Sequence, residues 1–113
     1  MAVLQATPSP LPEQEGVEFR HVEGFPGYCV GDDGSVWGCR NGRGFRPVWC
    51  RVKPQADPAG YLTIHLQVNR KTRYLRVHRI VLEAFVGPRP AKLDGCHGNG
   101  DKSDNRLVNL RWD

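Results

Sequence analysis

Glycine and proline constrain this chain more than any other feature, with 13 glycines and 9 prolines in 113 residues. Glycine opens backbone conformations closed to other residues and proline removes a hydrogen-bond donor, so this density favours short elements joined by turns over a helical bundle. The chain still carries enough apolar side chains to fold, 39% hydrophobic against 25% charged, and its length suits one small domain. No apolar run approaches the roughly 18 residues of a membrane span, and no membrane association is expected. The opening MAVLQATPSPLPEQ lacks a basic flank and an apolar core before a cleavage site. A secretory signal is therefore not expected, and the cytoplasm is the expected compartment.

Between the punctuation marks, apolar periodicity assigns the elements. Residues 1–16, with three prolines and two glutamates, read as a disordered tail. Phe19, Val22, Phe25 and Tyr28 then supply anchors while Gly24, Pro26 and Gly27 turn the chain. Tyr28-Cys29-Val30 and Ser35-Val36-Trp37 flank Gly31-Asp32-Asp33-Gly34, a β-hairpin signature. A second turn is expected at Asn41–Gly44 and a short strand at Val48–Val52. Strict alternation over 61–68 puts Leu62, Ile64, Leu66 and Val68 on one face and Tyr61, Thr63, His65 and Gln67 on the other. Asn69-Arg70-Lys71 turns this strand into a partner at 72–77. The period then changes: Val77, Ile80, Val81, Ala84 and Phe85 recur at helical spacing, predicting a short amphipathic helix over about 78–86 that Gly87-Pro88-Arg89-Pro90 stops. Leu93–His97 reads as a brief extended piece, 98–105 as a polar loop, and 106–112 as a return to apolar character. Trp37, Trp49 and Trp112 are expected in the core, and His21 and His65 in solvent.

Charge is divided unevenly. The chain carries 16 Lys+Arg against 12 Asp+Glu, a formal net charge of +4. Residues 1–60 hold 6 basic and 7 acidic groups, whereas 61–113 hold 10 basic and 5 acidic. A basic half on a small domain suits a polyanionic partner, most often nucleic acid. The four cysteines, Cys29, Cys39, Cys50 and Cys96, form no C-x-x-C pair. Reduced thiols are the simpler reading, with a zinc site using Cys39 and Cys50 as the rival.

The segment from His97 to Trp112, HGNGDKSDNRLVNLRW, carries the chemistry. It resembles the HNH (His-Me finger) endonucleases of the phage and intron homing type, which carry His, Asn-Gly, Asp-Asn-Arg and Asn-Leu-Arg-Trp in this order. Val77–Phe85 resembles the helix that precedes the His in that branch. Gly24–Tyr28, Gly34-Ser35-Val36 and Gly60-Tyr61-Leu62 resemble the nuclease-associated module that lies N-terminal to it. The resemblance implies an α+β fold: a small antiparallel β-sheet with a short helix, then a ββα-metal motif. Its domains would be a tail at 1–16, a β-rich module at 17–76 and the HNH motif at 77–113. The motif's last helix would lie beyond Asp113.

What the resemblance implies for function is a metal-dependent DNA endonuclease. His97 would be the general base, a role that suits histidine because its ordinary pKa lies near neutrality. Asn109 would tie the loop down and orient the imidazole, and Asp104 and Asn105 would stiffen the loop. The divalent metal would be Mg²⁺, its ligands unassigned because Cys96 occupies the family's Asp position. The partner would be double-stranded DNA, with no small-molecule substrate. Phosphates would be met by Arg70, Lys71, Arg73, Arg76, Arg79, Lys102, Arg106 and Arg111. His78 is expected either in a helix-start or packing role or on a phosphate. The rival function is a DNA-binding module that keeps the fold without catalysis; a zinc-stabilised interaction domain is a third.

Overall fold

The protein is described by a computed structural model over residues 4–42 and 44–113. Among the described residues, three antiparallel sheets surround one α-helix. The first contains β1 (Phe19–His21), β2 (Tyr28–Gly31), β3 (Val36–Asn41) and β4 (Gly44–Arg51), paired in sequence order. The second contains β5 (Gln55–Ala56), β6 (Leu62–Val68) and β7 (Lys71–Arg76). Helix α1 (Val77–Phe85) follows β7 directly, and the third sheet is the pair β8 (Gly95–His97) and β9 (Leu110–Trp112), with a single 3-10 turn at Leu107–Asn109 before β9. This is an α+β fold. No helix of the described residues is long and apolar enough to cross a membrane.

Alternation does in the structure what it does in the sequence. Ile64 and Leu66 are buried while His65 and Gln67 are exposed. The register pairs Ile64 with Leu75 on the inner face and His65 with Tyr74 on the outer one, where the two rings meet edge to face at 4.3 Å. Asn69 and Arg70 both take positive φ (49° and 62°), the geometry whose twist matches a two-residue hairpin. α1 buries Val77, His78, Ile80, Val81 and Leu82. Of these, Val77, Ile80, Val81 and Leu82 pack with Val22, Tyr28, Val30 and Val36 of the first half, Ile64 and Leu66 of the second sheet and Leu110 of β9 in one continuous core.

Some features depart from the sequence reading. Of the expected tail, residues 4–16 are described, and part of that stretch is laid along β4. Gln5 pairs with Phe45, Ser9 Oγ donates to the Pro47 carbonyl at 2.9 Å, and Trp49 Nε1 donates to the Pro10 carbonyl at 2.8 Å. The unpaired edge of β4 and the indole N–H supply partners that composition does not disclose. The strand expected at 48–52 begins earlier, at Gly44. In the expected turn at Asn41–Gly44, Arg43 lies outside the described residues, while Asn41 and Gly44 face each other across the β3–β4 pair. All three tryptophans are half-buried. Trp37 meets Phe19 edge to face at 6.2 Å, and Trp112 packs against the core with Nε1 donating to the Gly87 carbonyl at 3.2 Å.

Candidate active site

β8 and β9 pair with His97 opposite Leu110 and Cys96 opposite Arg111. The polar loop between them is tied by short side chains. Asn109 Oδ1 accepts the Asn99 amide at 3.0 Å, and Asn109 Nδ2 donates to Asn99 Oδ1 at 3.0 Å and to the Asp104 carbonyl at 2.9 Å. Asp101 accepts the Ser103 hydroxyl and amide, which together hold its carboxyl below the usual range. Asp104 takes Arg106 Nε at 2.8 Å and Nη2 at 2.9 Å, and these hydrogen bonds above all hold its carboxyl far below the usual range.

His97 is half-buried, with Nε2 2.8 Å from Oδ1 of the buried Asn105. The imidazole thus receives its direct contact from Asn105. Asn109, expected to do both jobs, ties the loop while its neighbour in the loop holds the ring. Both are loop asparagines, and spacing alone does not reveal which carboxamide turns inward.

A second ring lies against the first. His78, 3% exposed in the first turn of α1, has its centroid 4.8 Å from that of His97 and stacks on Tyr61 at 5.2 Å and 26°. Burial, then His97 and the Arg79 and Arg76 charges, push the His78 pKa down to about 4 against the weaker pull of Asp57, so the ring is neutral at pH 7. The packing role expected for His78 is the one its geometry gives it. Gly95 makes room for it: a Cβ there would lie 2.6 Å from His78 Cδ2. Tyr61 in turn carries two cations, Arg76 with Cζ 4.1 Å from the ring centroid and Lys102 with Nζ at 4.6 Å. Asp57 anchors this side. Its Oδ1 accepts the Ala59 and Tyr61 amides and its Oδ2 takes Arg76 Nε at 3.1 Å. Partial desolvation works against the ionised Asp57, but these bonds and the Arg76 charge outweigh it and lower its pKa.

The expected phosphate contacts therefore separate into groups. Arg76 and Lys102 each lie over the Tyr61 ring, Arg76 also engaged by Asp57 at 3.1 Å and Lys102 Nζ donating to the Ala59 carbonyl at 2.6 Å. Arg106 is engaged by Asp104, Arg111 by Asp113 at 3.2 Å, and Arg79 by Asp94 at 3.7 Å. Arg70, Lys71 and Arg73 are exposed towards the hairpin end, with no ion pair among the described residues. Five steps of about 3.3 Å put Lys71 roughly 17 Å along β7 from Arg76. Sequence reasoning missed Tyr61 and Asp57 as parts of the site. The Asp-Pro-Ala-Gly stretch before Tyr61 signals an Asx turn, but nothing in its spacing links it to a histidine in the last third of the chain.

The donors beside His97 do not make up a site for Mg²⁺. Among the described residues no group of three or more His, Cys, Asp or Glu side chains gathers as a metal cage. Cys96 puts sulfur where the resembled pattern has a carboxylate, and its Sγ lies 3.9 Å from the Asp94 carbonyl. Mg²⁺ takes hard oxygen ligands, which a thiol does not supply. Cys39 is buried and Cys50 exposed, and all four cysteines are free.

Known proteins resemble this chain in sequence and in fold. Residues 75–112 match the model of the HNH endonuclease family. The DNA endonuclease I-HmuI of Bacillus phage SP01 is 30% identical over 97 residues, covering 85% of this chain and 52% of that protein. Two uncharacterized HNH endonucleases of Acanthamoeba polyphaga mimivirus are 25% and 30% identical, each over 80% of this chain but only 26% and 22% of their own length. A solved structure showing DNA binding and cleavage by the HNH homing endonuclease I-HmuI superposes with a TM-score of 0.70, covering 85% of this chain and 52% of that one. The chain thus spans about half the length of I-HmuI and about a quarter of the viral relatives. Sequence motif and fold agree in likening this chain to the HNH endonucleases, with the family's own match lying over residues 75–112.

Proposed function

We propose that this protein acts as a DNA endonuclease, hydrolysing phosphodiester bonds of double-stranded DNA with His97 as the general base. The contact between His97 Nε2 and Asn105 Oδ1 at 2.8 Å carries the proposal. A carboxamide oxygen only accepts, so Nε2 bears the proton and the lone pair is left on Nδ1. That nitrogen takes a proton from water as the water oxygen attacks phosphorus; the bond from phosphorus to the ester oxygen breaks, and the leaving oxygen takes its proton from solvent. Arg76 and Lys102, gathered over Tyr61, are placed to hold the phosphate backbone beside the ring. The relative I-HmuI, a DNA endonuclease, supports DNA as the partner.

Plasmid nicking by the full-length protein, in buffers with Mg²⁺, Mn²⁺ or Zn²⁺, tests the assignment. His97→Ala should lose on the order of 10²-fold or more in rate. Equal rates in the two proteins would remove His97 as the base. Cys96 at the carboxylate position favours a second reading, a DNA-binding module without cleavage. Salt-sensitive DNA binding with no nicking in any of these metals would select it, and cleavage would eliminate it.

A further inference from the structure

The residues that hold His97 are themselves held from the far half of the chain. The turn between β2 and β3 is locked internally: Gly34 N donates to the Gly31 carbonyl at 2.9 Å, Gly31 N to the Ser35 carbonyl at 2.8 Å, and Asp33 accepts the Ser35 amide and hydroxyl. Trp37 Nε1 donates to Ser35 Oγ at 2.9 Å and fixes that hydroxyl from the strand side. Gly34, at the tip, has φ +86°, and a Cβ built on it would lie 2.8 Å from both C and O of Asn105 and 3.1 Å from its Cβ. The atoms it meets are backbone, which cannot swing aside as a side-chain end would. Next to this contact the Leu107 amide donates to the Asp32 carbonyl at 2.8 Å. The turn and the loop are thus fitted to each other at the residue whose Oδ1 touches the imidazole.

We propose that Gly34 is a positioning residue for His97, acting through Asn105: the β2–β3 turn is the wall against which the Asn105 backbone is set. The catalytic consequence rests on His97 being the base, but the positioning itself does not. A methyl group at Gly34 needs the Asn105 backbone to retreat by about 0.6 Å to reach ordinary contact distance. Carried through to Oδ1, a shift of that size displaces the acceptor from its 2.8 Å contact, to about 3.4 Å and beyond good hydrogen-bond length where it runs along the bond. The imidazole then loses the partner that selects its tautomer.

The first readout is the imidazole itself, from the two ¹⁵N chemical shifts of His97 in the uncleaved, DNA-free protein. In the parent chain they should report one dominant tautomer, with the proton on Nε2. Gly34→Ala should shift both nitrogens towards a mixture of tautomers. Gly24→Ala is the control: it has the same backbone conformation, φ +83°, with nothing within 4 Å of the added methyl, so it carries similar strain without the collision. It should leave the His97 shifts unchanged. If Gly34→Ala does not fold, Leu107→Pro replaces it. Arg106, with φ −62° and ψ 138°, already has the conformation required before proline, and Leu107 is the first residue of its 3-10 turn. That change removes the amide donated to Asp32 and should move the His97 shifts in the same direction.

Unaltered His97 shifts in a folded Gly34→Ala or Leu107→Pro protein, or equal shifts in Gly34→Ala and Gly24→Ala, would overturn the proposal. Where cleavage is measurable, kcat should fall on the order of 10-fold in Gly34→Ala with KM unchanged. Gly34→Ala combined with Asn105→Ala should be no slower than Asn105→Ala alone, and an additive loss would count against a route through Asn105. A protein that never cleaves DNA would overturn the function proposed above while leaving the nitrogen shifts to decide the positioning.

Discussion

Lowering the pH from 7 to 5 should destabilise this protein through His78. The ring is buried against both Tyr61 and His97 of β8, the three centroids forming a triangle with sides of 5.2, 4.8 and 6.1 Å, with Arg79 of its own helix and Arg76 at the end of β7 nearby, and only Asp57 opposes their charge. Its pKa falls from an ordinary 6.5 to about 4. The unfolded chain therefore binds more protons than the native one between those values, and stability drops as pH falls through that window. The contribution is complete above pH 6.5 and wholly lost below pH 4. The full span corresponds to about 3 kcal/mol, of which about 2 kcal/mol has gone by pH 5. For a domain of this size that is a fall of about 8 °C in Tm. Urea unfolding at pH 7, 6 and 5 measures it, comparing the parent chain with His78→Phe, which keeps a flat ring against Tyr61 but cannot ionise. The variant's stability should vary less with pH by that same 2 kcal/mol. Parallel pH profiles for the two proteins would refute the assignment of the buried charge cost to His78.

Two further outcomes can be measured directly. Asn109→Ala removes three hydrogen bonds that tie the loop and should cost about 1–3 kcal/mol in urea unfolding; it should also speed hydrogen exchange of the Asn99 amide, and unchanged exchange there would show that the loop is held otherwise. Replacing Arg70, Lys71 and Arg73 together by Gln should flatten the dependence of log Kobs for DNA on log[salt] by about 2.7, whereas Arg106→Gln, whose guanidinium is engaged by Asp104, should change it by less; an unaltered slope in the triple variant would place the hairpin end outside the DNA contact.

Local chemistry was the legible part of this molecule. The alternation at 61–68, the Asp-Gly turn after Tyr28-Cys29-Val30 and the change of period at Val77 each lie within a few residues, and β6, β2 with its turn, and α1 formed within a residue or two of the expected positions, while β3 runs on to Asn41, past the expected Trp37. β1 and β5 gave no comparable signal. Phe19-Arg20-His21 and Gln55-Ala56 are too short to alternate, and their strand character comes from the neighbours they pair with, β2 and β6. The site divides in the same way. His97 and its loop could be read from a run of closely spaced residues. Tyr61, Asp57 and His78 reach it through the packing of β6 and α1, a relation between distant positions that no local pattern records.

The place of α1 has a consequence for how this fold can be altered. It packs against strands of all three sheets, and its apolar side shares one core with Val30 and Val36 before it and Leu110 after it. The helix is thus a keystone common to the β-rich part and the loop that bears His97. A chimera that grafts residues 77–113 onto a foreign sheet would expose Val77, Val81 and Leu82 unless the new partner reproduced the shape of that shared interior. Unfolding should be a single cooperative event in which the far strands and the His97 loop are lost together. Substitutions in β2 and in the loop should then be free to drift only as a matched set.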